Sequence, residues 1–116
     1  MRFSCYMKDD YSTPDWAREE LAEGRCAIGR FWGQTVIYVP APLCDRLDDA
    51  TIYRLAEDVF TKERMERFRM SSIFRSKTYC EFEVPTSLEP GYQNQQNNPA
   101  YRKPDELVAK IMELTG

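Results

Sequence analysis

Glu81 and Glu83 are the two residues best placed by type and spacing to do chemistry. Separated by one residue in an alternating stretch, they leave the same strand face about 6 to 7 Å apart. Two carboxylates at that spacing suit a divalent cation or a division of acid and base roles, as in a metal-dependent enzyme. They equally suit a solvated strand face balanced by Arg75 and Lys77. Composition excludes most other catalytic arrangements. The chain has no histidine, so no Ser-His-Asp, Cys-His or His-Glu-x-x-His site exists, and the commonest general base near neutral pH is missing. Gly24, Gly29 and Gly33 are too widely spaced for a phosphate-cradling loop. A metal nuclease typically carries an acid two residues before a lysine. The residues two before Lys8, Lys62, Lys77, Lys103 and Lys110 are Tyr6, Phe60, Arg75, Tyr101 and Val108. Cys5, Cys26, Cys44 and Cys80 are dispersed with no C-x-x-C pair. They read as reduced, mostly buried thiols rather than as a disulfide framework or a zinc site. The sequence predicts no cofactor and no enzyme.

Charge is distributed more informatively. Lys62, Arg64, Arg67, Arg69, Arg75 and Lys77 face only Glu63 and Glu66 within one segment, a local net charge of +4. The whole chain carries −3, which leaves −7 on the remainder. These six cations are candidate nucleic-acid contacts, with Phe68 and Phe74 between them. Glu63–Arg67 and similar helical pairs offer a plainer account, and a pI near 5.0 disfavours a general DNA binder. The acidic counterpart lies near the first helix. Asp9, Asp10, Asp15, Glu19, Glu20 and Glu23 meet only Lys8 and Arg18 there, a surface suited to a basic groove on a partner. A third candidate surface is the polar run Tyr92, Gln93, Asn94, Gln95, Gln96 and Asn97, followed by Tyr101, which has the composition of an adaptable contact loop.

The elements that position these residues follow from periodicity. Residues 2–7 alternate as a first strand. Thr13-Pro14-Asp15 starts a short helix whose inward residues are Trp16, Ala17 and Leu21, and Gly24 stops it. Cys26 to Trp32 and Thr35 to Val39 form a hairpin across Gly33-Gln34. Val36-Ile37-Tyr38-Val39 is apolar on both faces and belongs at the centre of the sheet. Pro42 to Leu47 suits one helical turn. The main helix spans Asp49 to Met70, with the stripe Ile52, Leu55, Ala56, Val59 and Phe60. Beyond Phe60 the stripe loses register, so either Thr61 caps a second helix or one helix continues with a rotated face.

Ile73 to Val84 reads as one strand, with Phe74, Thr78, Cys80, Phe82 and Val84 on the dry side. Arg75, Lys77, Tyr79, Glu81 and Glu83 fall on the wet side. Residues 86–103 form a long polar loop without a periodic face. Pro104-Asp105-Glu106 opens a last helix with the stripe Leu107, Val108, Ile111, Met112 and Leu114.

At 116 residues the chain reads as a single domain spanning 1–116. The predicted class is α+β: a mainly antiparallel sheet of about four strands, three helices on one face, and the order β-α-β-β-α-β-α. The start reaches Asp9 and Asp10 before any run of signal-peptide length, and no run of about 18 apolar residues occurs. A cytoplasmic protein that does not enter a membrane is therefore expected. Its predicted role is that of a non-enzymatic interaction module, a small inhibitor or antagonist of a larger protein or complex. One example is a counter-defence protein acting on a nucleic-acid-handling complex. Nucleic-acid binding through residues 62–77 is the alternative.

Overall fold

A computed structural model describes residues 15–31, 34–68, 73–88 and 102–115 of the chain. Helix α1 (Asp15–Ala22) leads into strands β1 (Ala27–Phe31) and β2 (Gln34–Pro40). Helices α2 (Ala41–Cys44), α3 (Asp49–Phe60) and α4 (Lys62–Phe68) follow, then strands β3 (Phe74–Arg75) and β4 (Tyr79–Val84). A 3₁₀ turn over Pro85–Leu88 and helix α5 (Lys103–Thr115) complete the described residues. The class is α+β. The four strands pair antiparallel in the spatial order β1-β2-β4-β3. The expected strand over residues 2–7 lies outside the described residues.

β2 is central, as its doubly apolar sequence requires. Val36, Ile37, Tyr38 and Val39 are all buried between β1 and β4. The pleat sends alternate residues to opposite faces. Ile37 and Val39, with Cys80, Phe82 and Val84 of β4, meet Ile52, Ala56, Val59 and Phe60 of α3. Met65 of α4 and Leu107 and Ile111 of α5 join the same cluster. On the other face Ala27, Val36, Tyr38 and Tyr79 pack with Ala17 and Leu21 of α1 and with Phe74. Helices therefore cover both faces of the sheet, where one face was expected. The cause is legible in β2: a strand apolar on both sides needs a cover on both sides.

The stretch from Ile73 to Val84 is a tight hairpin and not one strand. Ser76 makes the turn: its hydroxyl accepts from the amides of Thr78 and Tyr79, both at 3.2 Å, and its own amide donates to the Tyr79 carbonyl at 2.8 Å. A serine satisfying nearby amides in this way competes with the strand ladder. The hairpin pairs Phe74 with Glu81 and Arg75 with Cys80, which exchanges their expected faces. Phe74 joins the tyrosines on the α1 side, and Arg75 reaches toward α2 and α3.

One helix boundary was open to two readings, and one stripe differs from the expected one. Thr61, at φ 69° and ψ 149°, breaks the long helix after Phe60. Its carbonyl accepts from Met65 at 3.1 Å and its hydroxyl from the Arg64 amide at 3.3 Å, so it starts α4. In α5 the buried residues are Pro104, Leu107, Ile111 and Thr115. The expected stripe is narrower than drawn, since Met112 and Leu114 are exposed.

Candidate functional site

α1 carries the most distinctive surface. Its end is held by a Schellman arrangement: Gly24, at φ 81°, donates to the Leu21 carbonyl at 3.0 Å, and Arg25 donates to the Glu20 carbonyl at 2.9 Å. That turn returns the Arg25 side chain onto the helix. Its guanidinium contacts Glu20 at 2.7 Å and Glu23 at 2.9 Å. The hydrogen bond from Arg25 holds the Glu20 carboxyl below its ordinary value.

At about 100° per residue, Asp15, Trp16, Glu19 and Glu20 fall within one arc of about 140° on α1. Ala17 and Leu21 occupy the arc facing the sheet. Asp15, Glu19 and Glu23 are exposed and Glu20 is half-buried. Trp16 was expected to face inward, yet it is 41% exposed. Its indole meets the Tyr38 ring edge to face, at 89° with centroids 6.0 Å apart. Ala17 is buried as expected, and its small side chain lets an eight-residue helix lie close to the sheet. An exposed tryptophan among carboxylates is the feature that sequence reading missed. The signal was present in the spacing, since Trp16 stands three and four residues before Glu19 and Glu20. Asp9 and Asp10, the other members of the acidic group, lie outside the described residues. So do Arg69 and the polar run Tyr92, Gln93, Asn94, Gln95, Gln96, Asn97 and Tyr101.

The basic segment is divided among different settings. Lys62 and Arg67 are exposed on α4, and Arg64 is half-buried there. Arg75 has another task. Its Nε and Nη2 donate to one Asp49 oxygen at 3.0 and 2.7 Å. Its Nη1 donates to the Cys44 carbonyl at 3.1 Å and its Nη2 to the Leu47 carbonyl at 2.8 Å. One guanidinium thus closes α2, holds the following turn and pairs with the first residue of α3. Lys77 sits on the β3–β4 turn, beside α1. Arg46 likewise ties distant segments, donating from Nη1 to the Thr115 carbonyl at the end of α5, at 2.6 Å.

Glu81 and Glu83 are half-buried neighbours on β4. They share their face with Tyr38, Tyr79 and Phe74, so the side expected to be wet is largely covered near α1. Tyr79 on that side is 1% exposed. Burial, with Glu81 and Tyr79 nearby, pushes the Tyr38 hydroxyl up to about 12. Among the described residues, no group of three or more acids and cysteines is placed to hold a metal ion. Cys44 and Cys80 are buried and Cys26 is half-buried. Burial raises the Cys26 thiol to about 11 and the Cys80 thiol further, which leaves little thiolate at neutral pH. No helix of the described residues is long and apolar enough to cross a membrane. No protein-family model, curated protein or solved structure matches the chain.

Proposed function

We propose that this chain is a non-enzymatic interaction module whose α1 surface docks on a basic region of a larger protein or complex. It would act as an inhibitor or antagonist, for example a counter-defence protein directed at a nucleic-acid-handling complex. The observation that carries this reading is the outward arc of α1, where Trp16 stands 41% exposed among Asp15, Glu19, Glu20 and Glu23. Tryptophan offers a large, rigid contact area and is enriched among the residues that dominate binding energy. Surrounding carboxylates select a partner of opposite sign and speed encounter with it. A nucleic-acid-handling protein presents such a basic surface.

The test is affinity capture of the tagged chain from a lysate of its host, with and without nuclease, read by mass spectrometry. A stoichiometric protein that survives nuclease treatment is the expected result. Trp16→Ala is then expected to weaken that partner's binding at least about tenfold. Glu19→Lys with Glu23→Lys is expected to slow association and flatten its dependence on salt. Loss of all partners with nuclease would move the assignment to Lys62, Arg64 and Arg67, and full binding by Trp16→Ala would sink the α1 reading.

A further inference from the structure

A second feature of α1 faces the other way. Arg18, Leu21 and Ala22, spaced i, i+3 and i+4, form one wall of a cleft of about 460 Å³. Ala41 and Pro42, where β2 turns into α2, make the opposite wall. The buried Tyr79 and the turn residues Lys77 and Thr78 close it. Two of these walls are fixed to each other, because the Ala41 amide donates to the Thr78 carbonyl at 3.0 Å. Pro40, immediately before, is paired with Tyr79 in the sheet. The cleft is therefore built from paired backbone and from a helix face anchored by Ala17, and it exists before any ligand arrives.

Its chemistry is one-sided. The lining is mainly apolar, and among the described residues its charged side chains are Arg18 and Lys77. None of the acids Asp15, Glu19, Glu20 and Glu23 of α1 and the residue after it is among the described lining residues. Asp15, Glu19 and Glu20 fall on the arc described above, Glu23 follows the helix end, and Arg18 and Ala22 fall outside the arc. Apolar walls with a few convergent polar groups, in a volume of this order, characterise small-molecule sites. A guanidinium matches a carboxylate in two-point geometry, and an ammonium adds a mobile point charge.

We propose that this cleft binds a small amphipathic carboxylate. The apolar body lies against Leu21, Ala22, Pro42 and Tyr79, and the carboxylate sits between Arg18 and Lys77. This site is independent of the α1 docking surface, since the two use different arcs of the helix and ligands of opposite sign.

The experiment uses octanoate as the probe, titrated into the ¹⁵N-labelled full chain and followed by amide shifts, with neutral octanamide as the comparison. Saturable shifts centred on Leu21, Ala22, Thr78 and Tyr79 are expected, with octanoate binding more tightly than octanamide. Arg18→Gln and Lys77→Gln should each lower the octanoate affinity about three- to fivefold, the range of an exposed ion pair. Ala22→Phe, at an exposed position that lines the cleft, should fill it and abolish the shifts while thermal unfolding stays cooperative. Three results would each overturn the proposal: octanamide binding as tightly as octanoate, shifts spread over the surface without saturation, or undiminished binding by a folded Ala22→Phe chain.

Discussion

Thr61 combines two roles that oppose each other. It is a β-branched residue at φ 69°, a region that L side chains rarely occupy, and holding it there costs about 1–3 kcal/mol. Its hydroxyl meanwhile caps α4 through a long contact of 3.3 Å to the Arg64 amide. Replacing a threonine cap with glycine loses only a few tenths of a kcal/mol, and the freer unfolded chain costs about 0.4–1 kcal/mol more. Strain relief wins that comparison. Thr61→Gly is expected to raise stability by about 1 kcal/mol, read as a higher urea midpoint at unchanged slope. Thr61→Ala keeps the strain and loses the cap, so it is expected to lower the midpoint. The break itself was visible in the sequence as a stripe that loses register after Phe60. Arg75 was not legible in the same way. Its neighbours marked it as one more surface cation, and nothing local shows that its partner is Asp49, 26 positions earlier.

Among the elements, α3 shows most directly how local chemistry sets a boundary. Asp48 accepts from the Thr51 amide at 2.8 Å, and the Thr51 hydroxyl and amide together hold its carboxyl below the ordinary value. A carboxyl depressed in the folded state leaves the unfolded chain binding protons more readily. The cap's contribution is therefore fully present above about pH 4 and is lost as pH falls through the depressed folded value. The difference in melting temperature between the wild-type chain and Asp48→Ala is expected to be largest near neutrality and to shrink under acid. Asp48→Asn, which caps without ionising, should match the wild type at pH 7 and lose less in acid. The end of α1 at Gly24 and the α3 stripe were readable because each rests on residues close in sequence, and the central place of β2 because it is apolar on both faces. The hairpin at Ser76 was not readable. Strict alternation from Ile73 to Val84 satisfies a single strand and two paired strands equally until the turn is known.

At the scale of the whole molecule, the sheet divides the described core unequally. Among the described residues the cluster on the α3 side holds fourteen buried residues, against five on the α1 side. Each fully buried aliphatic or aromatic side chain stabilises by about 1.5–3 kcal/mol, so the larger cluster dominates global stability. α1 contributes only Ala17 as a buried side chain. Native-state hydrogen exchange is expected to show the α1 amides from Glu19 to Ala22 opening well below the free energy that releases β2 and α3. Equal protection across all three would show that α1 is locked to the large core after all. A helix able to lift while the sheet stays folded carries the docking surface and one wall of the cleft, while the Ala41 and Thr78 side of the cleft stays fixed to the sheet. The turn at Ser76 has the opposite character. Phe74 must enter the tyrosine cluster and Arg75 must reach Asp49 and the Cys44 and Leu47 carbonyls, a division set by the number of residues between the paired positions. Dropping or adding one residue there would put a guanidinium among the tyrosines and a phenyl ring at the helix ends. The length of this turn is therefore as constrained as the identity of its residues.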